Sequence, residues 1–302
     1  MNSFTLLNQV LIIFFIMLVG VYAKKRNIIN EKMNKDLTVV LLNLSIPLYI
    51  IASFSFDFSK DMLLNIVIIF IFGMLIHPVC YFVGKILFSK SRGEDKTIQI
   101  FSIVFSNCGF MAFPILDSIY GKIGILYGSI FVATFNIYIW SLGVKLFSKD
   151  THTFKIKNIF NPGIVSVVIG FLLFMFSIKL PFPLQRCFEL VGATTTPLSM
   201  IITGVIVADV NIKKLFTTKS VYYLALIRLL LIPIIASVIL KFFGVTDIVL
   251  GVCVLIAAMP VAAMCTVFSE RFDGNSEYAS QNVFITTILS LITIPLIAFF
   301  IL

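Results

Sequence analysis

Hydrophobic residues in this chain gather into ten long blocks separated by short polar connections. The blocks run over roughly 2–23, 37–56, 62–84, 97–116, 123–144, 158–178, 190–208, 220–240, 248–269 and 278–302, and each is nearly free of charge. At about 1.5 Å of rise per residue, each is long enough to cross a ~30 Å hydrocarbon core as a helix. A helix pairs its own backbone groups, which lipid cannot do. The pattern therefore predicts an all-α integral membrane protein with ten transmembrane helices. The first block has neither a basic leading region nor a small-residue cleavage site, and reads as helix 1 rather than a removed signal peptide.

Composition agrees with the pattern. The chain is 60% hydrophobic and 12% charged, with a mean hydropathy of +1.09, far from a soluble domain. Its net charge of +9 first suggests a nucleic-acid partner, but the placement of the charges argues against one. Most of the 23 lysines and arginines fall in the connections after the odd-numbered blocks, beginning with Lys24, Lys25, Arg26, Lys32 and Lys35. Positive residues mark cytoplasmic loops, so both termini are expected outside a cytoplasmic membrane, with the bilayer as the chain's main partner. The five cysteines (Cys80, Cys108, Cys187, Cys253, Cys265) are scattered without a CxxC. They suggest neither disulfides nor a metal site, and read as packing residues.

Cutting the chain near the polar stretch Lys149–Lys157 gives two halves, 1–150 and 151–302, whose landmarks repeat in order. Pro47 corresponds to Pro197, Pro78 to Pro233, Tyr120–Gly121 to Asp273–Gly274, and Asn107 to Pro260. Five helices per half is an odd number, so the halves would insert in opposite orientations, the inverted-repeat plan of secondary transporters. Segments 4 and 9 are interrupted. The fourth holds Ser106-Asn107-Cys108-Gly109-Phe110 and then Pro114; the ninth holds Ala257-Ala258-Met259-Pro260-Val261-Ala262-Ala263. Proline removes a donor and glycine lowers the cost of opening a helix. Bare backbone at membrane depth is tolerated beside protein or a water-filled cavity, and half-helix N-termini suit a carboxylate. Two such breaks at equivalent places are expected to cross near the midplane.

These stretches, with Asn43-Leu44-Ser45-Ile46-Pro47-Leu48, Asn161-Pro162-Gly163-Ile164, Thr196-Pro197-Leu198, Ile227-Arg228 through Pro233 and Leu291 through Pro295, resemble the auxin efflux carrier family along the whole chain. That family includes plant auxin exporters and bacterial malate or malonate permeases. The resemblance implies the crossed, ten-helix inverted-repeat fold shared with bile-acid symporters and sodium/proton antiporters. It implies a scaffold of helices 1, 2, 6 and 7 and a transport domain of helices 3–5 and 8–10, with a homodimer through the scaffold by analogy. The central linker is short, so the long regulatory loop of the plant carriers is missing.

The expected substrate contacts are Asn107, Cys108, Gly109 and Pro114 at the first break and Met259, Pro260 and Ala262, with Ala263, at the second. Asn107 would donate to a carboxylate or patch a freed carbonyl. Asn136, Gln281 and Asn282 flank the crossing as polar lining, and Thr266 either adds a hydroxyl or bonds its own turn. Asn43 and Ser45 face the transport domain or a helix partner, with packing the better reading. Arg228, the one clear charge inside a segment, guides an anion, pairs within the transport domain or snorkels. His77 couples a proton or sits as a satisfied structural group. No Asp or Glu is placed mid-segment: Asp57, Asp61, Asp117 and Asp247 fall at outer ends, Glu270 and Asp273 at an inner end.

A polar, uncharged crossing with a nearby arginine suits an anion better than a cation. The expectation is a permease for an organic carboxylate, malate/malonate- or auxin-like, working by an elevator motion without a cofactor. The alternatives are a receptor on a transporter fold and a cation-coupled importer. A membrane enzyme is disfavoured, because no metal motif, phosphate-binding loop or Ser/His or Cys/His pairing stands out around His77 and His152.

Overall fold

The computed structural model describes residues 3–148, 161–208 and 218–301. The polar stretch around Lys149–Lys157, the division at 150/151 and His152 lie outside the described residues. The described chain is almost wholly helical: α1 (Ser3–Lys25), α2 (Glu31–Ser53), α3 (Lys60–Leu87), α4 (Gly93–Val104), α5 (Ala112–Phe147), α6 (Pro162–Met175), α7 (Phe182–Ala208), α8 (Lys219–Phe242), α9 (Asp247–Ala257), α10 (Met264–Arg271) and α11 (Ser276–Ile301). Seven of these (α1, α2, α3, α5, α7, α8 and α11) are long and apolar enough to cross a membrane. The other apolar pieces are shorter, α6 with 14 residues and α9 with 11.

Local chemistry sets the boundaries. Asn30 opens α2 by accepting from Met33 N at 2.8 Å, ahead of the apolar block that begins at residue 37. Asn161 opens α6 by accepting from Ile164 N at 3.1 Å, with Pro162 in the first helical position, where a missing N–H costs nothing. Gly121 has φ 60° and ψ −148°, which bends α5 sharply and marks the Tyr120–Gly121 turn. Pro47 and Pro233 each follow a five-residue π turn, Leu41–Ser45 in α2 and Ile227–Leu231 in α8. A widened turn absorbs the lost donor and the ring's clash with the preceding turn. Pro78 lies inside continuous α3.

Side-chain pairs define the two ends of the bundle. At one end Lys179 meets Asp57 at 3.0 Å and Lys122 meets Glu189 at 2.5 Å. At the other, Asn275 donates to Asp95 at 2.9 Å and Tyr278 links Gln99 to Ser220. Lys90, Arg92, Lys96, Lys219 and Arg271 stand close in sequence to these residues, so this second end is rich in lysine and arginine. Between them lie two apolar cores. One joins α1, α2, α5 as far as Val132, α6 and α9; the other joins α4, the end of α5, α8, α10 and the start of α11. α1 runs against the second part of α7 at backbone contact, with Gly20 beside the Ile201 carbonyl and Gly204 beside the Met17 carbonyl, leaving no room for a Cβ at either.

Candidate functional site

The interruptions between α4 and α5 and between α9 and α10 meet where the two cores adjoin. Backbone joins them: Asn107 N donates to Pro260 O at 2.8 Å and Ala262 N to Phe105 O at 3.0 Å, with Ser106 opposite Val261 in an antiparallel bridge. Each interruption thus satisfies part of the other's bare backbone, which a single broken helix in lipid could not do alone. A further donor at the bridge, Val261 N, goes to Thr286 Oγ1 on α11 at 3.1 Å.

α4 and α9 both arrive with their C-terminal ends, and their last carbonyls need donors. Arg228 supplies them. Its Nη1 donates to Ile103 O at 3.0 Å, Nη2 to Ala257 O at 3.1 Å and Nε to Met259 O at 3.1 Å. The side chain is 2% exposed, so it does not snorkel. No carboxylate pairs with it among the described residues. Hydrogen bonds from a charged group contribute about 1.5–3 kcal/mol each, which offsets the cost of burying the guanidinium.

Beside the crossing lies a cavity of about 260 Å³. Its walls come from five places: Leu42, Asn43 and Ile46 of α2; Ser106, Asn107, Gly109 and Phe110 of the first break; Val132, Phe135, Asn136, Ile139 and Trp140 of α5; Asn161 to Gly163 at the start of α6; and Ala262 to Met264 of the second break. The backbone N–H groups of Gly109, Phe110, Ala263 and Met264 meet no acceptor among the described residues. Asn107 is 4% exposed and its Nδ2 is buried without a partner. Asn161 Nδ2 donates to Asn136 Oδ1 at 2.9 Å, while Asn136 Nδ2 donates to Val132 O at 2.9 Å. Among the described residues, no ionisable side chain is on the wall. The described wall carries the polar side chains of Asn43, Ser106, Asn107, Asn136 and Asn161 among mainly apolar ones, a mix common in small-molecule sites.

Of the residues expected from sequence, the cavity gathers Asn107, Gly109, Asn136, Ala262 and Ala263. Cys108, Pro114, Met259, Pro260, Gln281 and Asn282 are not on its wall. Met259 and Pro260 instead contribute carbonyls to Arg228 and Asn107, and Asn282 donates to Tyr278 O within its own helix. Thr266 Oγ1 is buried without a partner, so it does not bond its own turn. His77 is buried, bonded to Gly73 O at 2.6 Å and stacked on Tyr138 at 4.9 Å, with Phe105, Phe131 and Phe135 around it. Ser45 bonds Thr194 of α7 at 2.8 Å, whereas Asn43 bonds Val39 O and still lines the cavity. Four cysteines are buried and Cys187 is exposed, so Cys187 is not a packing residue. Sequence reasoning passed over Asn161, Phe110 and Trp140 as lining. The Asn161-Pro162 cap was visible, but nothing local announces that a cap residue also faces a cavity.

The chain belongs to the family described as membrane transport protein, the auxin efflux carriers, whose model matches residues 5–156 and 151–298. It is 23% identical over 303 residues to a protein of Methanocaldococcus jannaschii named an uncharacterized transporter, covering 96% of this chain and 97% of that one. A second uncharacterized transporter, of Methanothermobacter thermautotrophicus, is 28% identical over 303 residues, covering 95% of each. A Rhizobium meliloti protein provisionally named a malonate transporter is 29% identical over 136 residues, 45% of this chain and 42% of its own length.

Proposed function

We propose that this chain is a secondary transporter for an organic carboxylate with an apolar body, and not an enzyme. The observation that carries this reading is the cavity beside the crossing, lined by Asn107 and by four residues whose backbone amides meet no acceptor among the described residues, with no carboxylate among the described lining. Half-helix N-termini carry partial positive charge and free N–H donors, which stabilise an anion without a titratable partner. A cation site would call for oxygen ligands, and side-chain carboxylates above all. The wall around the donors, with Phe110, Phe135, Trp140 and Ile139, offers nothing to a second charge. Burying an unpaired second carboxylate there would be costly. A monocarboxylate therefore fits this cavity better than malate or malonate.

In this reading the chain makes ten spans in two inverted repeats, 1–150 and 151–302. The 36 residues of α5 would reach about 54 Å if straight, well beyond a ~30 Å core. Its first part therefore completes span 4 with α4, and the part after Gly121 is span 5. α9 and α10 together make span 9, and α6 makes span 6. The cavity lies between α2 and α6, assigned to the scaffold, and α5 with the two breaks, assigned to the moving domain. It lies on the side of the crossing nearer the lysine- and arginine-rich end, because α6 starts and α10 finishes there. A substrate at a domain boundary, carried past a fixed scaffold, is the arrangement an elevator needs.

The test is uptake into proteoliposomes of radiolabelled indole-3-acetate, short aliphatic acids, malate and malonate, at varied pH and sodium. Apolar monocarboxylates should be taken up at least ~10-fold more efficiently than the dicarboxylates. Asn107→Ala should cut that uptake by ~10-fold or more, as expected for one lost hydrogen bond to a charged group, about 1.5–3 kcal/mol. Uptake unchanged by Asn107→Ala, or confined to cations, would end this assignment.

A further inference from the structure

We infer that Arg228 is a positioning residue for the anion site: its guanidinium fixes the register of the two broken segments and thereby aims the free amides of Gly109, Phe110, Ala263 and Met264 into the cavity. The inference rests on the proposed anion site and adds the device that builds it. Arg228 does not line the cavity. It stands behind the crossing, buried, with three of its five N–H groups on carbonyls of two different segments.

The charge balance is local. Each helix C-terminus carries about half a negative elementary charge, and α4 and α9 both end at Arg228. Two half-charges therefore face one full positive charge. The two helix C-termini take the place of the carboxylate that a buried cation ordinarily requires. Ile103 lies two residues before Phe105, and Ala257 and Met259 lie three residues and one residue before Pro260. Phe105 O and Pro260 O are the acceptors in the antiparallel bridge. Any slip of α4 against α9 would break hydrogen bonds to the guanidinium and to the bridge together. The planar fork also sets direction, which a lysine ammonium on a flexible stem does not. Lysine would keep the charge but could not hold carbonyls from both segments in the same geometry.

Two readouts test this. The first needs no substrate. Ser106 and Val261 are paired across the bridge, and facing residues of an antiparallel pair lie at Cα separations a disulfide can span. With Cys108 and Cys265 replaced by alanine, the pair Ser106→Cys and Val261→Cys should oxidise readily when Arg228 is present. Its yield should fall several-fold with Arg228→Lys. The second is transport by Arg228→Lys in otherwise wild-type protein. The concentration of indole-3-acetate giving half-maximal flux should rise ~10-fold or more, with a smaller change in maximal flux. Arg228→Met is expected to lose folded protein, which is why the lysine variant carries the test. Wild-type crosslinking in Arg228→Lys would overturn the inference, as would unchanged half-saturation with reduced maximal flux. If the wild-type protein moves no carboxylate at all, the transport reading fails, while the crosslinking result still decides the role of Arg228.

Discussion

Asn161 illustrates how much one side chain carries at this site. Its Oδ1 caps α6 and its Nδ2 donates to Asn136, so it joins the helix start to the cavity wall. Asp is as good a cap as Asn, but it has no N–H to give Asn136 and it adds a negative charge to the wall. Asn161→Asp should therefore unfold within a few degrees of wild type in detergent while anion flux falls ~10-fold or more. Cap and cavity would then be separated by measurement. At this scale the sequence was legible where backbone chemistry is local. Asn107-Cys108-Gly109 and Met259-Pro260 announced their breaks. It was silent where a residue's neighbour lies far along the chain. Trp140 and Phe110 look like any lipid-facing aromatic, and Arg228 gave no sign that its partners were three carbonyls on two other segments.

Elements were legible by length but less so by shape. Each described helix overlaps an apolar block, yet α5 joins what composition separates at Gly121, and α2 starts at Glu31 through a cap that hydropathy does not see. The π turns before Pro47 and Pro233 were invisible because a widened turn needs neighbours that accept it; Pro78 sits in continuous α3. The Gly20 and Gly204 pairing was equally hidden, since glycine is common in membrane helices whatever it touches. Its consequence is concrete. A side chain at Gly204 would collide with the Met17 carbonyl, which is backbone and cannot rotate away. Gly204→Val should force α1 from α7 at a cost of at least about 1–3 kcal/mol, read as a lowered unfolding temperature. Gly244, with nothing near its missing Cβ, is the reference position for space, although its φ of 75° makes any substitution there strained in its own way.

For the molecule as a whole, the proposed motion places its moving surface between α2, α6 and α7 on one side and the breaks with α5 on the other. At the end of the bundle away from the cavity, that surface is spanned by Lys122 of α5 and Glu189 of α7, 2.5 Å apart, with Arg186 also on Glu189. The pair is partly exposed, with side-chain exposures of 55% and 24%, so it is worth no more than about 1 kcal/mol. Glu189→Gln should then shift flux less than about fivefold, because a tie this weak biases an equilibrium without locking it. A covalent tie is different in kind. With Cys187 changed to serine, since it is exposed and would react, cysteines at positions 122 and 189 joined by a short bismaleimide should abolish uptake in proteoliposomes, while each single cysteine treated alike keeps it. The contrast matters more than either result. Loss of flux with the crosslink but not with neutralisation requires that α5 and α7 separate during each cycle. Full flux through the crosslinked protein would mean that they travel as one body, and an elevator moving between these helices would be ruled out.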